Sequence, residues 1–308
     1  MKRTLTLLLV IMAATASFAQ KTKIILNLKQ DSTYYLNQNS NLTIDQDIPG
    51  HKQTIITSIT GLIAHKVVAV KDSTYELAVQ YEAIGIKMQM GENTLMNVDS
   101  KNKDAQDVMS KIMANILHKP ITIVITKTGK VLEVRGLDKL YTGMFDGFPQ
   151  VTDAQKAQIK AQVEKSFGEK AFKNNFQDAF AVLPNAAVGV NDSWVSDTEL
   201  ETIAVAKVKT TYVLKSVTNK DYLIHGDASV VSTGKADFIL SNNMPMRYNN
   251  MTGTYTIDIK LDKNTGWLTE STVTKNIKGD LEIKDNPQVP GGITFPMTIA
   301  GDIKMSNK

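Results

Sequence analysis

The sequence predicts an α+β protein, mostly antiparallel β, in which a long curved sheet or incomplete β-barrel carries a central group of about four helices packed on it. Three observations predict this. Long runs of period-two alternation occupy both ends of the chain, Gly, Pro and Asp turn signals separate them, and the middle switches to helical spacing.

The first run is Thr33 to Ile48. Its even positions include Tyr34, Leu36, Leu42, Ile44 and Ile48, and its odd positions include Asn37, Asn39, Asn41, Asp45 and Asp47, as in a half-buried strand. Pro49-Gly50 turns the chain, and Gln53 to Val70, rich in β-branched residues, returns antiparallel. After Lys71-Asp72-Ser73 the apolar phase runs Tyr75, Leu77, Val79, Tyr81 and then jumps to Ile84, Ile86, Met88, Met90. A one-residue phase change near Ala83 to Gly85 is the signature of a β-bulge, which bends a strand.

Helical spacing begins at Ala105, Val108, Met109, Ile112, Met113 and Ile116 and stops before Pro120. A strand pair, Ile121 to Thr126 and Lys130 to Arg135, turns at Thr128-Gly129. Helical spacing resumes in Leu137, Leu140, Tyr141, Met144 and Phe145. A third helix starts at Thr152 with Gln155 as its capping-box partner, and a fourth runs from Ala171 to Leu183 before Pro184. From Trp194 about five long strands follow, with turns near Thr218 to Asp221, Asn242 to Pro245, Asp262 to Gly266 and Asp285 to Gly292. Strands this long favour a strongly curved sheet over a flat sandwich. The parts are a β-rich stretch 24–135, a helical stretch 136–187 and a β-rich stretch 188–308, within a single domain 20–308. Tyr75 and Tyr222, and Thr128-Gly129 and Thr265-Gly266, hint at a pseudo-repeat of the two β parts.

Residues 1–19 read as a signal peptide: Lys2 and Arg3, the apolar run Leu5 to Met12, and Ala16-Ser17-Phe18-Ala19, with cleavage expected after Ala19. The apolar run is shorter than the ~20 residues of a membrane span, and no transmembrane segment is expected elsewhere. The expected destination is the periplasm or cell envelope, or secretion. With 0 cysteines there is neither a disulfide nor a lipidation site at the cleavage point. The formal charge of +4 is scattered along the chain, which argues against a nucleic-acid partner.

Four segments in order, Asp31-Ser32-Thr33-Tyr34-Tyr35, Thr128 to Asp138 (TGKVLEVRGLD), Val188 to Trp194 (VGVNDSW) and Asn276-Ile277-Lys278-Gly279, resemble the secreted bacterial domain-of-unknown-function family 6263. The resemblance runs from about Ile24 to Met305 and implies no catalytic residue. At the level of fold, a curved sheet capped by a few helices is similar to the outer-membrane lipoprotein carriers.

Chemistry-bearing motifs are scarce. His51, His65, His118 and His225 lie far apart, without metal-ligand spacing, and are read as structural or surface residues, His118 in a helix's last turn. Ser100-x-x-Lys103 and Lys127-Thr128-Gly129 imitate motifs of penicillin-binding enzymes but lack the element and the domain that separate them. Asp45 and Asp47 fall on the solvent phase of their strand. Methionine is the unusual residue, with Met88, Met90, Met96, Met109 and Met113 in one group and Met244, Met246 and Met251 in another. Thioethers at Met-x-Met spacing suit Cu(I), but no nearby His or Cys completes a set, so no metal or cofactor is expected. Core packing and an adaptable apolar cavity are the competing readings. On the cavity reading, Met109, Met113, Met144, Phe172 and Phe176 are its candidate lining. The expected function is non-enzymatic binding or carriage of a lipid, acyl chain or lipoprotein tail. The alternative is a structural or protein-interaction role with a filled core.

Overall fold

The computed structural model describes residues 21–104, 107–169, 173, 176, 180, 182–200, 205–241 and 244–307. Strands β1 (Thr33–Ile48) and β2 (His51–Val70) form the expected hairpin, in unbroken register from Thr33↔Lys66 to Ile48↔His51. Gly50, at φ +80°, supplies the left-handed residue that this tight turn needs. β3 (Thr74–Met90) then pairs with β2, and the register slips where Leu62 and Ile63 face Ala83 and Tyr81. This is the bulge that the phase jump announced, and it returns Ile84, Ile86, Met88 and Met90 to the same face as Tyr75 and Leu77.

The remaining elements are β4 (Asn93–Asp99), α1 (Val108–Ala114), β5 (Ile121–Thr126), β6 (Val131–Arg135), α2 (Asp138–Tyr141), α3 (Asp153–Phe167) and β7 (Ser193–Leu200). They continue as β8 (Ala206–Val217), β9 (Asp221–Ser232), β10 (Ile239–Ser241), β11 (Met244–Asp262), β12 (Leu268–Ile283) and β13 (Ile293–Ser306). Three corrections to the sequence reading follow. The described residues carry three helices rather than about four, and the expected helix from Ala171 to Leu183 falls mostly outside them. α2 is a single turn, because Thr142 turns to extended geometry at ψ 122° and Gly143 adopts positive φ, which ends the helical path before Phe145. Seven strands, not about five, follow Ser193, and β4 had no counterpart in the sequence reading. α3 starts as expected, with Thr152 and Gln155 forming a complete capping box.

All strands belong to one antiparallel sheet in the order β6-β5-β3-β2-β1-β13-β12-β11-β9-β8-β7, with β4 on β3 and β10 on β11. Two meanders therefore run outward from a central β1–β13 pair, so the first and last strands are neighbours. The ends of this path are β6 and β7, and β4 and β10 are short edges beside β3 and β11. Residues just before β6, Thr128 to Lys130, and the first half of β7 line one cleft, so the sheet curls until its edges face each other.

The segment before β1 ties the two meanders together. Leu26 N–H donates to the Lys127 carbonyl in the β5–β6 turn, Asn27 N–H donates to the Thr265 carbonyl in the β11–β12 turn, and Thr22 pairs with Val188. Gly266, at φ +66°, lets its turn press against this segment: a Cβ there would lie 2.2 Å from the Ile25 carbonyl oxygen. Ile24 and Leu26 are fully buried beneath it.

Replacing Leu26 by Ala should destabilise the protein by about 2–5 kcal/mol, as expected for a buried leucine. Urea denaturation measures this, and an unchanged midpoint would show that the segment does not hold the meanders together.

Candidate functional site

Register places side chains from every strand on two faces of very different chemistry. On one face β1 presents Asn37, Asn39, Asn41 and Asp45, and its neighbours Thr294, Thr298, Asp302 and Lys304 of β13 and Thr274, Asn276 and Lys278 of β12 continue the polar surface. The opposite face presents Leu36, Leu42 and Ile44 of β1, Ile299 and Ile303 of β13, and Ile55, Ile59 and Ile63 of β2. A membrane-spanning barrel is apolar outside and polar inside. Here the apolar face is the one that packs against the helices and the N-terminal segment, the inverse arrangement.

At one end this inner face is sealed. Trp267 is fully buried and donates its indole N–H to the Tyr35 carbonyl, 3.1 Å away. Its ring packs 5.1 Å from Tyr34, 5.1 Å from His65 and 5.0 Å from Phe180, and Phe176 lies 4.9 Å from Phe180. His65 is 2% exposed, with Nδ1 3.3 Å from the Tyr34 carbonyl oxygen. Burial lowers its pKa to about 4, and backbone hydrogen bonds only partly oppose this.

Toward the β1–β2 turn the covering stops. A second, small cluster of Leu281, Phe295 and Met297 lies there. Between it and the main core, Leu42, Ile55, Ile59, Met88, Met90 and Ile303 occupy inner-face positions, are only half-buried, and belong to neither cluster. In this strip Thr57, between Leu42 and Met88, is buried with its hydroxyl unpartnered. Of the described helices, α1 packs against β4 and β3.

The residues read as cavity lining lie elsewhere. Met113, Met144 and Phe176 are buried members of the main core and Met109 packs against it half-buried, while Phe172 lies outside the described residues. Met88 and Met96 are direct cross-strand partners, with Met90 on the same face. Alternation placed Leu42, Met88, Met90 and Ile303 on one phase of their strands; what it could not reveal is that they fall outside both core clusters.

Two clefts open on the surface. One, of about 910 Å³, follows the seam between the sheet edges, with a mostly polar lining that includes Lys21, Lys130, Asp192, Trp194 and Asp197. The other, of about 670 Å³, lies near the β1–β2 turn beside Asp45, Lys52, Lys278 and Asp280. Asp45 is exposed and accepts a hydrogen bond from Thr54, and Asp47 is exposed too. Ser100 accepts from the Ile84 N–H and so serves the β3–β4 pairing. His225 pairs with Asp258 at 2.7 Å on the outer face. His118 stands beyond the end of α1 at φ 56°, rather than in its last turn, and its ring lies 3.1 Å from Glu82. Among the described residues no group of three or more His, Asp or Glu side chains is placed to hold a metal.

The architecture is thus an open, curled antiparallel sheet, polar outside, with an apolar inner face covered at one end. The chain belongs to DUF6263, a family of unknown function, whose family model matches residues 72–268. No curated protein matches it. Among solved structures it is similar to lipovitellin, from a study of lipid–protein interactions, at 9% identity and a TM-score of 0.46, covering 92% of this chain and 25% of that one. It thus spans about a quarter of the lipovitellin chain's length. An outer membrane channel from Pseudomonas putida F1 matches at 9% identity and a TM-score of 0.26 over 92% of this chain and 97% of the channel.

Because His65 is held neutral, the unfolded chain binds the extra proton between pH 6.5 and about 4. Stability is therefore complete above pH 6.5 and falls as the pH drops toward 4, by about 3 kcal/mol in all. Denaturant unfolding at stepped pH checks this, with a His65→Phe variant expected to lose that component of the pH dependence.

Proposed function

We propose that this is an exported, non-enzymatic envelope protein that binds or carries an apolar ligand such as a lipid, acyl chain or lipoprotein tail. The observation that carries the reading is the only partly buried strip of Leu42, Ile55, Ile59, Met88, Met90 and Ile303 on the inner face, outside both core clusters. An apolar surface of this kind, bordered by a packed core at one side and a small cluster at the other, gains free energy when an apolar guest removes it from water. Flexible methionines along one border suit guests of varying shape. The signal sequence read in residues 1–19 supports the envelope as the place of action.

A structural or protein-interaction role is the second reading, and the seam favours it. Among the described residues β7 pairs with β8 alone and its first half lines the cleft, so its free edge is a place where an extended polypeptide could add a strand.

Native mass spectrometry of the protein purified from its own envelope fraction, followed by organic extraction, separates the two. An apolar passenger in stoichiometric amount is expected. Leu42→Glu should weaken uptake of a fluorescent lipid at least about tenfold, since the guest would bury a charge, whereas Thr43→Glu on the outer face should not. An empty protein that also ignores the fluorescent lipid would overturn the ligand-binding reading.

A further inference from the structure

Strand pairing brings a third thioether to the Met88-x-Met90 pair. Met88 of β3 is the direct cross-strand partner of Met96 of β4, and Met90, two residues further along β3, points to the same inner face. A bulge sets this arrangement. Continuing the register of Met90↔Asn93 and Gln89↔Thr94 would place Leu95 opposite Met88, but β4 skips Leu95, which is 49% exposed, and puts Met96 there instead. Opposed side chains on an antiparallel pair start with Cβ atoms about 4.5–5.5 Å apart, and residues two apart on one strand lie about 7 Å apart. Methionine has an unbranched, flexible stem, so sulfurs rooted this closely can converge on one point.

Packing does not account for the group. Met88, Met90 and Met96 are all only partly buried, and Met88 and Met90 belong to neither core cluster, while Met96 packs on the margin of the main one. Along β3 the inner face reads Ile84 and Ile86, β-branched residues that suit a strand, and changes to methionine only where β4, paired among the described residues with β3 alone, ends the row. The other methionine group has no such convergence: Met244 and Met246 face Ser241 and Ile239, and Met251 is buried in the main core.

We propose that Met88, Met90 and Met96 form a Cu(I) site of three thioether sulfurs. Soft, uncharged sulfur donors select a soft monovalent ion over Zn²⁺ or Mg²⁺. Met96 supplies the donor that Met-x-Met spacing by itself lacks, in place of a histidine or cysteine. The inference goes beyond the apolar-ligand reading and does not depend on it.

The test follows the methionine methyl resonances of the mature protein by NMR as Cu(I) is added anaerobically as its acetonitrile complex. Those of Met88, Met90 and Met96 should shift together and saturate at one equivalent, those of Met244, Met246 and Met251 should stay, and Zn²⁺ should move none of them. Met96→Leu, a change of similar volume, should weaken binding at least about tenfold, whereas Met246→Leu should leave it unchanged. Unmoved resonances of the three residues in the wild type would overturn the assignment whether or not the variants fold. Undiminished affinity in Met96→Leu, or saturation at Met244 and Met246 instead, would overturn it too.

Discussion

A sheet with one polar and one apolar face must cover the apolar one, and the described residues carry too little helix to do so alone. β2, with 20 residues, extends for about 65 Å at strand rise, whereas the longest described helix, of 15 residues, reaches only about 22 Å. Curling the sheet brings parts of the inner face toward each other, and the aromatic group around Trp267 fills the space at one end. The opposite end has only Leu281, Phe295 and Met297 and their half-buried neighbours. The uncovered strip between them is thus a geometric consequence of strand length exceeding helix length, not of a local packing fault.

The N-terminal segment makes the sealed end possible. Ile24, Leu26 and Leu28 are buried between turns that belong to different meanders, and they hydrogen-bond to both. Tyr75 strengthens the arrangement: its hydroxyl donates to the Leu26 carbonyl and accepts from the Leu28 N–H, so a residue of β3 holds the segment from within the core. Gly129 and Gly266 occupy equivalent places in the two turns, each with positive φ and each pressed against a buried partner, Phe180 and the Ile25–Leu26 backbone respectively. A side chain at either position would push the turn off the core. Closure of the sheet therefore depends on two glycines and three apolar residues that precede the first strand.

Much of this was legible in the sequence. The phase of β1, the bulge in β3, the capping box of α3 and the alternation of β13 all follow from local rules, and the structure keeps them. The family resemblance was legible as well, although its model matches residues 72–268 and so leaves the segments around Tyr34 and Ile277 outside. What escaped was non-local. Nothing in Thr33 to Ile48 or Ile293 to Ser306 announces that these strands pair with each other. β4 was hidden because its only apolar inner-face residues are Met96 and Val98, too few to define a period. Helical spacing identified Met113 and Met144 as inward-facing but could not distinguish a packed core from a cavity wall, because both require the same pattern.

The strip has a different energetic standing from the rest of the apolar face. Its residues are only partly buried in the folded protein, so some of their transfer free energy is not spent on folding and remains for association. A guest that buries them stabilises the folded state by mass action, since the unfolded chain offers no such surface. On the ligand-binding reading proposed above, the length of the strands serves association as well as folding: a shorter sheet would have sufficed to bury Trp267 and its neighbours, and the extra length creates the partly buried strip.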